Sequence, residues 1–238
     1  EFAPHDVGTY PLLNGQAYYS GSLEGQMPVE ESGNMLVLVD AICRQDGNYS
    51  FAKEHCALLE KWSQYLVEYG EDPANQLCTD DFAGHMPHNV NLAIKAVMGL
   101  AGFADILENL GEVEKAKSFY ATAKRYADSI CERAKNDDGS YRLAFDRADT
   151  FSLKYNSVWD KLWRTNLFED KFYSGEIARY KKEALPYGVP LDSRAYYTKS
   201  DWLVWSACLA DNEEDFDYFI HMLYSAFDTM HTRVPMTD

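Results

Sequence analysis

Three polar segments carry most of the side chains able to do chemistry: Met27-Pro28-Val29-Glu30-Glu31-Ser32-Gly33-Asn34, Cys78-Thr79-Asp80-Asp81-Phe82-Ala83-Gly84-His85 and Pro190-Leu191-Asp192-Ser193-Arg194. Each sets carboxylates beside Gly or Pro, where the backbone leaves a helix and side chains can converge on a cleft. Carboxyl groups gathered in one cleft serve hydrolysis of an amide, which needs a proton donor for departing ammonia, or of a glycoside, which needs one protonated and one ionised acid. No Gly-x-Ser-x-Gly pattern supports a serine nucleophile, and Cys78 is the one cysteine near a candidate loop.

Glu30 and Glu31 precede a helix whose amino end favours the charged form, so they serve either as its caps or as site groups. Asp80 and Asp81 flank a turn. If both enter a cleft, their like charges raise one pKa; otherwise they form a solvated Asx turn. His85, Asn89 and Asn91 add donors and acceptors for an amide or for sugar hydroxyls. Asp192 lies in a Pro-bounded loop with Arg194, which can hold a carboxylate bidentately, and Lys199 is a second cation for that task. Asp160, between Trp159 and Lys161, is either a helical salt-bridge partner or a substrate contact. Trp159, Trp163, Trp202 and Trp205 fit a core, or a wall that stacks on a sugar face. The His spacing and Asn neighbours disfavour zinc, and no cofactor is implied.

The elements that must position these groups are helical. One helix is expected from a Ser32 cap to Asp46-Gly47, and a second from a Ser50 cap to Gly70. Asn89 opens a long helix closed by Gly111, and its return partner runs from about Val113 to Lys135. Tyr141-Arg142-Leu143-Ala144-Phe145 alternates as a short strand. Further helices are expected over about Lys154 to Trp163 and Tyr173 to Ala184, then from a Thr198 cap, then from Asn212. These eight helices form four consecutive hairpins. With no shared repeat motif and with long loops carrying acids, His, Asn and Trp, they fit an all-α, (α/α) toroid better than a solenoid.

Composition sets the frame. The chain has 238 residues, 46% of them hydrophobic, enough for a sizeable core. A net charge of −16 repels nucleic acid and anionic membrane surfaces. No apolar run is read as approaching the ~20 residues of a membrane span, and Glu1-Phe2-Ala3-Pro4-His5-Asp6 has neither a basic start nor an apolar signal core. A soluble protein is expected, with any export signal removed or upstream. Cys43, Cys56, Cys78, Cys131 and Cys208 lack metal-ligand spacing and read as buried free thiols.

Several strings in order resemble the carboxy-terminal helical domain of the glutaminase A-like family. They are His5-Asp6-Val7-Gly8-Thr9-Tyr10-Pro11, the Pro28-to-Asn34 run, Thr79-Asp80-Asp81-Phe82-Ala83-Gly84-His85, His88-Asn89-Val90-Asn91 and Lys154-Tyr155-Asn156-Ser157-Val158-Trp159-Asp160-Lys161. Pro190-Leu191-Asp192-Ser193-Arg194, Tyr197-Thr198-Lys199-Ser200-Asp201-Trp202 and Arg233-Val234-Pro235-Met236-Thr237-Asp238 complete the set. The resemblance implies a six-hairpin toroid of the six-hairpin glycosidase type, preceded by a β-rich domain, in an exported protein (extracellular or periplasmic) that hydrolyses the side-chain amide of glutamine. Four legible hairpins where six are implied make residues 1–238 a single, incomplete toroid domain of a larger protein. The expected catalytic groups are Glu31, Asp81 and Asp192. Glu31 is preferred to Glu30 because Ser32-Gly33-Asn34 follows it, by analogy with six-hairpin hydrolases. The expected substrate contacts are His5, Asp6, Glu30, Asp80, His85, Asn89, Asn91, Asp160, Arg194, Lys199 and Asp201. A glycoside hydrolase using the same carboxylates and a non-catalytic helical binding module remain open as alternatives.

Overall fold

A computed structural model of the chain describes residues 1–5, 25–78 and 81–231. In chain order the helices are α1 Pro28–Asp46, α2 Ser50–Glu54, α3 Cys56–Tyr69, α4 Val90–Asn109, α5 Val113–Arg133, α6 Val158–Trp163, α7 Asp170–Glu183, α8 Ser200–Ala207 and α9 Glu213–Thr229. The fold is all-α, and among the described residues extended pairing is limited to isolated bridges. The chain forms two compact units, residues 1–129 and 130–238.

In the first unit α4 is the central element and packs against α1 and α3. Its apolar residues from Val90 to Leu107 are almost all buried, and Asn89 opens it by accepting from the Leu92 N–H at 3.0 Å. By length and apolar character α4 could cross a bilayer, which corrects the reading that no run approaches that size. Here it is instead wrapped by protein. The α1–α4 crossing is close because two glycines meet there. A Cβ on Gly33 would lie 2.6 Å from Lys95 Cγ, and one on Gly99 would lie 3.0 Å from Gly33 Cα.

Farther along the same crossing, Asp40 is wholly buried, with Arg44 Nε donating to its Oδ2 at 2.8 Å. Arg44 also pairs with Asp105 Oδ1 at 2.8 Å, and the Tyr49 hydroxyl donates to Asp105 Oδ2 at 2.8 Å. One guanidinium thus serves two carboxyls. Burial, opposed by Arg44 and aided by Asp105, pushes Asp40 up from 3.8 to about 8. The folded state therefore binds a proton that the unfolded chain releases between those values, so this contribution is full below pH 4 and is lost as pH rises through 8. An Asp40→Asn variant is expected to remove a slope on the order of 1 kcal/mol per pH unit between about pH 5 and 8. Urea unfolding at both pH values checks this; parallel curves for variant and parent would refute it.

The second unit is built around α7 and the irregular segments 134–157 and 184–199. Leu153 N–H donates to Leu191 O at 2.8 Å, Ser193 N–H to Phe151 O at 3.1 Å, and Phe151 N–H to Ser193 Oγ at 2.8 Å. Beneath this pairing lies a wholly buried charge cluster. Lys154 Nζ faces Tyr141 O at 3.0 Å, Ser152 O at 2.9 Å and Ser152 Oγ at 3.0 Å, with Glu176 Oε2 at 3.6 Å. Glu176 accepts from Tyr141 N–H and from Tyr180 O–H, each at 2.7 Å. Burial works against charge on both Lys154 and Glu176. Even so, three acceptors around Nζ and two donors on the carboxyl are the complement that an ammonium and a carboxylate require.

Several element boundaries differ from the sequence expectation. α1 begins at Pro28 and holds Ser32 in its interior, because Gln76 Oε1 accepts from Val29 N–H at 3.0 Å and acts as a cap from a distant loop. The helix expected from Ser50 to Gly70 breaks at His55 into α2 and α3. Tyr141–Phe145 forms no strand; Tyr141 makes one bridge to Lys135 and gives its N–H to Glu176. Tyr155–Ser157 is a 3-10 turn leading into α6, and α8 starts at Ser200 after Lys199, not after Thr198. The five thiols are free, but Cys208 is exposed, and Cys56 and Cys131 are half-buried, which corrects the reading that all are buried.

Candidate functional site

The first turn of α1 places Glu30 and Glu31 on neighbouring directions of one helix end, and Asn34 lies one turn later, over both. Asn34 Nδ2 points to Glu30 Oε1 at 3.3 Å and to Glu31 Oε2 at 3.4 Å. Across the glycine crossing, Lys95 Nζ donates to Asn34 Oδ1 at 2.5 Å and lies 3.4 Å from Glu30 Oε1. Glu30 and Lys95 are buried, 2% and 5% exposed, whereas Glu31 is half-buried. Burial raises Glu31 above the ordinary carboxylate range; the Asn34 hydrogen bond opposes this, Glu30 adds to it, and His5 and Lys95 oppose it. Two adjacent acids thus occupy different environments, one in a buried ion pair and one half-buried with its pKa raised.

His5 reaches this neighbourhood because residues 1–5 are fastened along the start of α1. Ala3 N–H donates to Ser32 Oγ at 3.1 Å, His5 N–H to Gln26 Oε1 at 3.1 Å, and Phe2 lies against Tyr65 with ring centres 5.3 Å apart. Of the expected site residues, the structure therefore brings together Glu30, Glu31 and His5. Asn91 is buried in the first turn of α4, four residues before Lys95 and so on the same helix face. Asn89 is occupied as the α4 cap, with its Nδ2 3.7 Å from Cys78 Sγ. His85 is exposed. Asp6 and Asp80 lie outside the described residues, and Asp81 is described only through its backbone, in the 3-10 turn Asp81–Ala83.

The remaining expected residues belong to the second unit. Asp192 is 3% exposed, and its oxygens are taken by its own neighbour: Arg194 N–H and Nε reach Oδ1 at 2.8 and 2.9 Å, and Nη2 reaches Oδ2 at 2.6 Å. That fork arranges the 191–195 loop, so Arg194 holds a carboxylate of this chain bidentately. Both side chains also border a cavity of about 470 Å3 with Arg179, Lys182 and Tyr196. Asp160 is buried and accepts from Thr165 O–H, Leu167 N–H, Phe168 N–H and Tyr173 O–H. Four donors fill its acceptor capacity, which makes it the organiser of the 164–168 turn rather than an open substrate contact. Lys199 is half-buried at the N-cap position of α8, and Asp201 is exposed in its first turn.

Lys95 is the neighbour of Glu30 and Asn34 that the sequence reading passed over, and Asn34 was named there only within the run that follows Glu31. The signal for Lys95 was a single cation inside the otherwise apolar run from Leu92 to Ala104, where burial calls for an anionic or hydrogen-bonding partner.

A model of the glutaminase A six helical-hairpin domain matches residues 1–238. The chain is 33% identical over 241 residues to a protein named glutaminase A from Aspergillus oryzae, covering all of this chain and 34% of that protein. It is 28% identical over 181 residues to a probable glutaminase from Arthroderma benhamiae, covering 64% of this chain and 21% of that protein. The chain thus spans about a third of the length of the first relative and about a fifth of the second.

Proposed function

We propose, because this chain belongs to the glutaminase A six helical-hairpin family, that it is part of a hydrolase acting on the side-chain amide of L-glutamine, with Glu31 as the proton carrier. Glu31 takes a proton from water as the water oxygen bonds to the side-chain carbonyl carbon. It returns that proton to the amide nitrogen as the C–N bond breaks, leaving glutamate and free ammonia. The observation that carries the reading is the half-buried Glu31 carboxyl, raised by burial beside the Glu30–Lys95 ion pair. A base with a raised pKa is a stronger acceptor from water and still a competent donor to a leaving amine.

A glycoside substrate is favoured by one separate feature of the second unit. Trp159, Trp163, Trp202 and Trp205 are half-buried and form a continuous ring cluster, with Trp159 5.1 Å from Trp163 and 5.5 Å from Trp205, and Trp202 5.2 Å from Trp205. Such indoles offer a stacking surface.

Ammonia release from glutamine and reducing-sugar release from an oligosaccharide panel separate the readings, measured on this chain and on a polypeptide extended at both ends. Ammonia alone is expected. Reducing sugar without ammonia would select the glycosidase, and calorimetric binding without turnover of either substrate would select a binding module.

A further inference from the structure

We propose that Lys95 is a positioning residue that fixes the Asn34 amide in one orientation, so that its Nδ2 is presented to the Glu30 and Glu31 carboxyls together. The inference deepens the Glu31 assignment and rests on it for its catalytic consequence, though not for its geometry.

An ammonium has three donors and no acceptor, so the Asn34 atom it meets at 2.5 Å must be the amide oxygen. With the oxygen committed there, the NH2 group is left to face the two carboxyls at 3.3 and 3.4 Å. Rotating the amide would set NH2 against ammonium and oxygen against carboxylate, two repulsions at a part-buried place where screening by water is reduced. The lysine stem is held as firmly as its head. Gly33 leaves no Cβ, and Lys95 Cγ and Cδ occupy the space such a carbon would need, at 2.6 and 3.2 Å. Lys95 thus acts on Glu31 twice, by its own charge and through the amide it orients.

The groups that bear on Glu31 are Glu30 and Asn34 of α1, His5 of the amino-terminal segment and Lys95 of α4. Of these, Asn34 and Lys95 both oppose the rise caused by burial, and the lock makes the first depend on the second. Removing the cation while keeping the stem, Lys95→Met, is expected to move Glu31 further up and to carry the acid limb of the turnover profile with it, by about one pH unit. Asn34→Leu, which keeps the Lys95–Glu30 ion pair, is expected to move Glu31 in the same direction by a smaller amount.

The test is a carboxyl-carbon NMR titration of glutamate-labelled protein, with the Glu31 signal assigned from Glu31→Gln, alongside pH–rate profiles and thermal melts. An upward move of the Glu31 signal in Lys95→Met that exceeds the move in Asn34→Leu supports the lock, because charge loss and amide release then add, and an equal or smaller move in the folded variant overturns it. Should Lys95→Met not fold, Lys95→Leu takes its place in the same comparison with Asn34→Leu. If the Lys95→Met move exceeds that of Asn34→Leu while Glu31→Gln retains full turnover, the lock stands and the catalytic assignment of Glu31 falls. If the signal stays still while Glu31→Gln is inactive, the lock falls and the catalytic assignment stands.

Discussion

A Glu31→Gln variant is expected to release ammonia from glutamine roughly 10²–10⁴-fold more slowly than the parent, with the loss in kcat and little change in KM. The amide that replaces the carboxyl keeps its size and can still bond with Asn34, so the first turn of α1 should hold its shape. What it cannot do is exchange a proton near neutral pH. If Glu31 only bound the substrate, with proton transfer carried by another group, the substitution would raise KM instead, so the split between the two constants distinguishes the roles. Glu30→Gln provides the contrast, because Glu30 lies inside the ion pair with Lys95 and its removal disturbs a buried cation. That variant is expected to lose stability as well as rate, whereas Glu31→Gln loses rate alone. Turnover within a factor of about two of the parent in a folded Glu31→Gln protein would remove Glu31 from the mechanism and return weight to Asp81 or to a glycoside substrate.

The parts of this fold that could be read from sequence are those whose cause is local. Asn89 and Asn212 cap α4 and α9 by accepting from N–H groups three residues on, and both signals sit beside the apolar stripe they introduce. The start of α1 could not be read this way, since its cap comes from Gln76, 47 residues away, and the Ser32 beside it points to a plausible but later start. The site shows the same division. Glu31 stood out through its neighbours in the chain, but the partners that tune it, Asn34 and Lys95, converge only because Gly33 and Gly99 let two helices touch. Asp192 was placed in the right kind of loop. Its use there is set by Arg194 two residues on, and residue types alone could not say whether that arginine would seek a ligand or its own neighbour.

The largest stability effect is expected from Glu176→Ala, about 3–5 kcal/mol by chemical denaturation. The deleted carboxyl is the anion facing the wholly buried Lys154, and it is also the acceptor for Tyr141 N–H and Tyr180 O–H. Its loss therefore strands a cation and two donors at once, in a cavity that alanine does not fill. A Lys154→Met, Glu176→Leu double replacement is expected to recover part of the loss, because an apolar pair needs no counter-charge, and a double-mutant cycle then measures the coupling. The damage should also spread along the backbone. Lys154 Nζ holds Ser152 through its carbonyl and hydroxyl, and the residues on either side, Phe151 and Leu153, pair with Ser193 and Leu191. Hydrogen exchange at 191–194 is thus expected to accelerate in Glu176→Ala before the unit unfolds as a whole, since the Asp192–Arg194 fork rests on that pairing. A loss below about 1 kcal/mol, with exchange at 191–194 unchanged, would mean that the cluster is replaceable packing and that the fork stands without it.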